Sequence, residues 1–143
     1  MRRASSITKM LFMTLPDPKT FADAWVTAWN DHDLEAILAH FSEDVVFSSP
    51  VAAQLLKESD GVLRGKGALR EYWTQGLALI PDLRFEVVGV YTGTSAIVIN
   101  YRNQKGGLVC EVLILRDGLV VEGHGTYRDA GADDNLAGAV ETA

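Results

Sequence analysis

Three ionisable side chains lie inside the two apolar runs at the C-terminal end of the chain. Residues 108–116 (LVCEVLILR) and 119–128 (LVVEGHGTYR) contain Glu111, Glu122 and His124. A carboxylate beside an imidazole can move protons in general acid–base catalysis. The same residue types also form ordinary ion-pair networks, so the faces of the two predicted strands decide between these interpretations.

The turn between the two runs sets the predicted faces. Asp117-Gly118 is typical of a two-residue type I′ hairpin turn, in which both central residues need positive φ. In that register Glu111 lies opposite His124. Because side chains alternate along a strand, Glu111, Glu122 and His124 are then expected on one face.

The preceding hairpin extends this face. A two-residue turn at 105–106 or 106–107 places Asn100 and Arg102 on the face of Glu111, whereas a loop with an odd number of residues or a bulge would reverse it. The sequence therefore predicts one polar patch, made of Asn100, Arg102, Glu111, Glu122 and His124.

Two interpretations of the predicted patch remain open from the residues alone. In the first, its members form hydrogen bonds and ion pairs with one another on a solvated or dimer-forming face, where each cross-strand pair contributes about 0.2–1 kcal/mol to stability. Alternatively they line a cavity, where a carboxylate and a histidine would have shifted, coupled pKa values. The opposite face is expected to carry Cys110, Val112, Ile114, Val121 and Tyr127. Its apolar side chains need cover, which predicts a homodimer through that face.

The elements before these strands are mostly helical. Asp17 and Pro18 suit the cap and first position of a helix, and apolar residues then recur at helical spacing. A short helix capped by Asp33 and a third helix ending at Pro81 follow, with strands predicted at 44–50, 83–92, 95–103, 108–116 and 119–128. Residues 51–65 are predicted to be a loop with about one helical turn. Helices followed by hairpins indicate an α+β domain, with three N-terminal helices packed on a curved, mixed or antiparallel sheet.

Composition limits the classes of function. The chain has 143 residues, a net charge of −6 and a sequence pI near 4.9, which argues against binding nucleic acid or an anionic membrane surface. No apolar run approaches the roughly 20 residues of a membrane span. Cys110 is the single cysteine, which fits a cytoplasmic protein, and the three histidines lack the spacing of metal ligands, so no metal or other cofactor is expected. Residues 1–13 are predicted to be a disordered extension, 14–129 the domain, and 130–143 a flexible tail.

Three segments carry a resemblance to a known superfamily. They are FADAWVTAWNDHDLEAILAHFSEDVVFSSP, LRGKGALREYW and RDGLVVEGHGTY. Together they resemble the helices, first strand and closing hairpin of NTF2-like proteins, particularly SnoaL-like members, over residues 15–129. The resemblance implies a cone-shaped fold with an apolar pocket between the helices and the concave sheet. Its members include ketosteroid isomerases, limonene epoxide hydrolases, scytalone dehydratases, polyketide cyclases and non-catalytic transport factors.

The resemblance assigns roles residue by residue. Ser49 stands before Pro50, where the isomerases have their proton-abstracting Asp, and Trp25 aligns with their first-helix Tyr. Glu111 aligns with their pocket-facing Asp on the penultimate strand. The same alignment makes the face of Glu111 the concave one, so Glu111 and His124 are expected in the pocket.

Together these inferences predict a pocket protein that binds or transforms a small, mostly apolar molecule. Glu111 and His124 are the candidate catalytic acid and base, in cofactor-free isomerase-, cyclase- or dehydratase-like chemistry. The residues expected to contact the ligand are Trp25, Ser49, Trp73, Asn100, Arg102 and Glu122. The alternative is a non-catalytic ligand-binding or dimeric assembly module, which is motivated by the missing Asp before Pro50.

Overall fold

The computed structural model describes residues 15–129, so the predictions for residues 1–13 and 130–143 lie outside the described residues. This described part of the chain contains four α-helices: α1 (Pro18–Asn30), α2 (Leu34–Leu38), α3 (Pro50–Leu55) and α4 (Lys66–Leu79). None of these helices is long and apolar enough to cross a membrane.

Helix α1 forms as its sequence predicts. The Asp17 carboxylate accepts a hydrogen bond from the backbone N–H of Thr20 at 2.9 Å, which satisfies an orphan donor of the first turn. Its predicted apolar stripe is buried in the core: Phe21, Ala22, Trp25, Ala28 and Trp29. The stripe fixes which side of α1 faces the sheet.

Within residues 15–129, six strands form one sheet in the order β2-β1-β6-β5-β4-β3. They are β1 (Phe41–Ser48), β2 (Val62–Arg64), β3 (Glu86–Thr92), β4 (Ala96–Arg102), β5 (Leu108–Arg116) and β6 (Leu119–Tyr127). Strands β1 and β6 pair in parallel, and the other neighbours are antiparallel. The α+β class with a mixed sheet is confirmed. The segment 51–65 was predicted as a loop with about one helical turn. The helical turn is confirmed by α3, whereas the strand β2 was not predicted.

The predicted register of β4 against β5 is wrong. Residues 103–107 form a five-residue loop, held by Asn103, whose Oδ1 accepts hydrogen bonds from the backbone N–H groups of Lys105 and Gly107. The odd length pairs Ile99 with Glu111 instead of Asn100 with Glu111. Asn100 and Arg102 therefore lie on the face opposite to Glu111.

The turn at Asp117-Gly118 forms as predicted, with φ of 54° and 81°. The register beyond it is wrong, because a bulge at Val121 shifts β6 by one residue between the pairs Leu115–Val120 and Ile114–Glu122. The bulge places Glu122 and His124 on the opposite face from Glu111.

Packing explains why β6 adopts this register. Gly123 faces the core, where an added Cβ would lie 2.9 Å from the Phe47 ring, so a larger side chain does not fit there. Without the bulge, Glu122 and His124 would occupy this buried face, at the cost of desolvating charged groups. Because of the bulge, Gly123 and Gly125 lie on the concave face of the sheet, and Glu122 and His124 lie on the convex face.

One further residue lies on a different face of the sheet from the face that was predicted. Cys110, Val112 and Ile114 lie on the convex face as expected, opposite to Glu111. Tyr127 pairs with the buried Val109 and lies on the concave face, so its predicted convex position is wrong.

Candidate functional site

A cavity of about 80 Å³ lies between the helices and the concave face of the sheet. Most of its wall is apolar, contributed by α1, α3, α4, the segment 80–85 and strands β1 and β5. The apolar and aromatic lining residues are Trp29, Phe47, Val51, Leu55, Trp73, Ile80, Leu83, Phe85 and Val109. Such a wall suits an apolar ligand, and the few polar groups that interrupt it determine how the ligand is oriented.

Glu111 contributes a carboxyl group to the cavity wall. It lies in the middle of β5, and Oε1 accepts a hydrogen bond from the Tyr101 hydroxyl at 3.0 Å. Burial raises the pKa of Glu111 to about 7, while the hydrogen bond from Tyr101 acts in the opposite direction. Within residues 15–129 no Lys, Arg or His forms an ion pair with this carboxylate. Both protonation states are therefore well populated near neutral pH.

Three further hydroxyls line the same cavity. The buried Ser49 caps α3 by accepting the backbone N–H of Val51 at 3.1 Å, and its hydroxyl acts to lower the pKa values of Tyr72 and Tyr127. Burial raises the pKa of Tyr72 to about 12, and the charge of Glu111 adds to this shift. Burial also raises the pKa values of Tyr101 and Tyr127, so the three phenols stay protonated at neutral pH.

Gly125 keeps space open between Ser49 and Glu111. A Cβ added to Gly125 would lie 3.5 Å from Ser49 Oγ and 3.8 Å from Glu111 Oε1. An atom in this space would thus be near both oxygens. We refer to Ser49, Tyr72, Tyr101, Glu111 and Tyr127 as the Glu111 cluster. In this cluster Glu111 can take up or release a proton. The hydroxyls can donate hydrogen bonds to a ligand oxygen that gains negative charge during a reaction.

The aromatic part of the wall is a connected set of rings. Trp73 contacts Trp29 at 5.1 Å and Phe47 at 5.5 Å between ring centroids, and Phe85 lies 4.2 Å from Tyr101. Trp25 was expected to wall the site, but it is buried behind the wall, against Phe85 and Tyr101, and does not line the cavity.

Three of the eight predicted site residues line this cavity: Ser49, Trp73 and Glu111. The other five do not, and they are Trp25, Asn100, Arg102, Glu122 and His124. Arg102 is exposed and donates to the backbone oxygen of Gly106 at 3.3 Å, while Asn100 lies on the convex side next to Cys110. The predicted pairing of Glu111 with His124 is wrong for the register reasons given above.

His124 belongs to a separate hydrogen-bond chain on the convex face. Its Nδ1 lies 2.5 Å from Ser48 Oγ, and its Nε2 lies 2.6 Å from the exposed Glu122 carboxylate. Ser48 and His124 are direct partners in the parallel β1–β6 pairing. These hydrogen bonds link β1 to β6. Because they lie on the convex face, Glu111 is not part of them and remains the carboxyl group of the cavity.

The sequence analysis missed Trp29, Tyr72 and Tyr127 as residues of the site. Trp29 and Tyr72 belong to apolar helix stripes, which also predict ordinary core residues, and Tyr127 was placed on the wrong face by the unforeseen bulge. The alternation of Gly123 and Gly125 along β6 was the available signal, because it marks a face with no room for side chains. Among residues 15–129, no group of three or more His, Cys, Asp or Glu side chains is arranged to hold a metal ion.

Comparison with known proteins supports the fold seen here. The family model of the SnoaL-like domain matches residues 22–123. A SnoaL-like protein of unknown function from Burkholderia thailandensis is 39% identical, with a TM-score of 0.74, over 78% of this chain and 93% of that one. No curated protein matches the chain.

Two more distant structures share the fold. TerC, co-crystallised with polyporic acid, is 16% identical with a TM-score of 0.67, covering 84% of this chain and 98% of its own. An NTF2-like protein of unknown function from Cytophaga hutchinsonii is 13% identical with a TM-score of 0.62, covering 80% and 93%.

Proposed function

Since the chain belongs to the SnoaL-like family, we propose that it binds and transforms a small, mostly apolar molecule by acid–base chemistry at Glu111. The observation that carries this proposal is a carboxyl group with a pKa of about 7 in an apolar cavity, beside tyrosine hydroxyls. A group that titrates near the working pH is best suited to take up and return a proton.

The proposed reaction is proton transfer next to a carbonyl group. The ionised Glu111 takes a proton from the carbon beside the ligand carbonyl, and the electron pair moves to the carbonyl oxygen to give an enolate. A tyrosine hydroxyl of the Glu111 cluster donates a hydrogen bond to that oxygen. The protonated Glu111 then gives the proton to a different carbon of a conjugated enolate, which is isomerisation. In ring closure the enolate carbon instead bonds to a second carbonyl carbon of the ligand, whose oxygen takes up the proton, and in loss of water the enolate breaks the bond to a β-hydroxyl group, which leaves with the proton as water.

The aromatic wall favours a ring-shaped ligand. Trp29, Trp73 and Phe85 offer ring faces and edges rather than polar groups. Aromatic pairs contribute about 0.5–1.5 kcal/mol beyond the area that they bury. TerC shares the fold and was co-crystallised with polyporic acid, so a protein of this fold has been studied with an organic ring compound.

Deuterium exchange tests the proposal without knowledge of the natural substrate. A panel of small cyclic ketones is incubated with the protein in deuterium oxide, and exchange at the carbon beside the carbonyl is followed by proton NMR. We expect exchange to exceed the buffer rate for ketones that bind. Ketones that bind in the cavity but exchange at the buffer rate would contradict the acid–base function.

The second candidate function is ligand binding without chemistry. It is favoured by Ser49, which replaces the carboxylate expected before Pro50 and leaves Glu111 as the cavity's carboxylate. This candidate predicts NMR shifts of cavity residues with each bound ketone and no exchange above the buffer rate.

Gly76 tests whether the cavity is the binding site. It lies inside α4 and lines the cavity, and an added Cβ meets no atom within 4 Å. We expect Gly76→Ala to raise the free energy of unfolding by about 0.5–1 kcal/mol, because alanine favours the helix. The methyl group fills cavity space, so the variant should bind 1-naphthol more weakly than wild type does in calorimetry.

Gly67→Ala is the matched control for this substitution. Gly67 lies in the first turn of the same helix, an added Cβ there also meets open space, and it does not line the cavity. Binding of 1-naphthol should be unchanged in this variant. Equal affinity in Gly76→Ala and wild type would place the ligand elsewhere.

We also propose that the protein forms a homodimer through the convex face of the sheet. Val112 and Ile114 are half-buried there and pair with His124 and Glu122 of the neighbouring strand. Sedimentation at micromolar concentration should give a dimer for wild type, and Val112→Lys should shift it towards monomer, because an unpaired charge is costly in an interface. A monomeric wild type would contradict this proposal.

A further inference from the structure

The three phenols of the Glu111 cluster use their hydroxyl protons differently. The hydroxyl of Tyr101 donates its proton to Glu111 Oε1 at 3.0 Å. The hydroxyls of Tyr72 and Tyr127 form no direct hydrogen bond within the described part of the chain. Ser49 lies near both as a donor, because its hydroxyl lowers their pKa values. Tyr72 and Tyr127 therefore each keep a proton that can be donated to a ligand.

Both of these free hydroxyls have accessible surface. Among the described residues, the fully buried side-chain N and O atoms without a hydrogen-bond partner are Nε1 of Trp29 and Oε1 of Gln104. The oxygens of Tyr72 and Tyr127 also lack such a partner but do not belong to this fully buried set. Since both tyrosines line the cavity, a ligand inside it can contact their hydroxyls.

The free hydroxyls lie close to the Glu111 carboxylate, whose charge contributes to the raised pKa values of Tyr72 and Tyr127. A Cβ added to Gly125 would lie 3.5 Å from Ser49 Oγ and 3.8 Å from Glu111 Oε1, so these two oxygens are at most about 7 Å apart. A base lies about 3–3.5 Å from a reacting carbon, and a hydroxyl about 2.7 Å from its acceptor. A carbonyl group and its neighbouring carbon have the right size to bridge the base and the hydroxyls.

The cavity wall has no cation that could balance a negatively charged ligand. None of the described residues that line it is Lys, Arg or His. An ionised Glu111 would therefore repel a ligand carboxylate, and water in this apolar space screens the repulsion poorly. A ketone avoids this problem, because it is uncharged when it binds. When Glu111 takes its proton, the negative charge moves from the carboxylate to the ligand oxygen, so the cavity holds one negative charge throughout.

We propose that the ligand is an uncharged ketone whose oxygen accepts hydrogen bonds from Tyr72 and Tyr127, while Tyr101 is a positioning residue for Glu111. This inference rests on the proposed function and adds the ligand class and the role of each phenol. Two donors suit an oxygen that changes from carbonyl to enolate, because the developing negative charge strengthens both hydrogen bonds. Tyr101 does not contribute a third, because its proton is already donated to the base.

The test measures deuterium exchange into 2-indanone, or into the ketone of the panel that wild type exchanges fastest. The rate is followed against pH in each variant, which gives a midpoint and a plateau. We expect the double variant Tyr72→Phe/Tyr127→Phe to lower the plateau by roughly 10²–10³-fold, the usual loss when oxyanion donors are removed, and each single variant to lower it less. Tyr101→Phe should instead keep the plateau and move the midpoint to higher pH.

Tyr91→Phe is the matched control for these substitutions. Tyr91 lies on β3, is 60% exposed and does not line the cavity, so its variant should keep both the midpoint and the plateau of wild type. Thermal unfolding checks that every variant is folded. A wild-type plateau in the double variant overturns the inference, and so does an equal loss of plateau in Tyr101→Phe. If wild type exchanges no ketone, the proposed function fails together with this inference, whereas exchange that needs Glu111 but not the two tyrosines refutes this inference alone.

A second measurement uses wild type and does not depend on the folding of a tyrosine variant. The compounds 1-naphthamide and 1-naphthoate have nearly the same shape but differ in charge. In calorimetry at pH 8, where Glu111 is mostly ionised, we expect the naphthoate to bind at least roughly tenfold more weakly than the naphthamide. The difference should shrink in Glu111→Gln, which removes the repulsion. Equal affinities in wild type would overturn the assignment of an uncharged ligand.

Discussion

Replacing Glu111 with glutamine is expected to slow deuterium exchange into a bound cyclic ketone by a factor of about 10²–10⁴, the usual contribution of a positioned acid or base. Glutamine has nearly the same shape, and its carbonyl oxygen can still accept the hydrogen bond from Tyr101. It cannot take up a proton from carbon. Ketone affinity should therefore change much less than the exchange rate, and the two are measured separately by calorimetry and NMR.

Glu122→Gln is the matched control for this substitution. Glu122 is a carboxylate on the neighbouring strand β6, but it faces the convex side and pairs with His124. Exchange should continue at the wild-type rate in this variant. Wild-type exchange in Glu111→Gln would remove Glu111 from the proposed chemistry, and loss of exchange in both variants would indicate an unspecific effect on the fold.

The pH dependence of exchange follows from the ionisation of Glu111. The carboxylate is the proton acceptor, so the rate should rise with pH, with a midpoint near the pKa of about 7, and then level off. Tyr101→Phe removes the hydrogen bond that lowers this pKa, and the midpoint should move to higher pH. A midpoint that stays fixed in Tyr101→Phe would mean that another group controls the rate.

The sequence predicts the elements of the fold better than it predicts the faces of the strands. The stripe of α1 and the Asp117-Gly118 turn are local signals, and both are confirmed. The face of each strand depends instead on the parity of its loop and on bulges, and a single unforeseen residue reverses every side chain beyond it. The five-residue loop at 103–107 and the bulge at Val121 are two such cases.

Prediction of the candidate site from the sequence was limited in the same way, by the faces of the strands. Glu111 was expected in the pocket through its resemblance to a pocket-facing Asp, and it lines the cavity together with Ser49 and Trp73. The bulge at Val121 separated His124 from Glu111 and brought Tyr127 towards it. What decided this was tertiary packing, since the Phe47 ring leaves room only for glycine at position 123. The alternation of Gly123 and Gly125 marks a crowded face, but only the folded structure identifies Phe47 as the residue that fills it.

A carboxylate in the interior of a protein is either part of a structural ion pair or a functional group. The surroundings of Glu111 distinguish these two interpretations. A structural ion pair would lower the pKa of Glu111, whereas burial without a cation raises it. Because the ionised Glu111 lowers the stability of the folded protein, it is not explained as a stabilising contact. Groups that lower stability in this way are common in functional sites. The cost itself can be measured.

Glu111 is expected to destabilise the folded protein as the pH rises. Its pKa is near 4.5 in the unfolded chain and about 7 in the folded protein. Between these values the folded state binds more protons, so this group's contribution to the free energy of unfolding falls from pH 4.5 to 7 and is constant above. A difference of about 2.5 pKa units corresponds to a loss of up to about 3 kcal/mol by pH 8.

Comparing wild type with Glu111→Gln isolates this effect. Burial lowers the pKa of His40, which makes stability rise with pH, but His40 is present in both proteins and cancels in the difference. In urea unfolding, Glu111→Gln should match wild type near pH 4.5 and exceed it by up to about 3 kcal/mol at pH 8. A difference that is independent of pH would mean that Glu111 keeps an ordinary pKa. In that case the carboxylate would already be fully ionised at neutral pH, and the acid–base proposal would lose its physical basis.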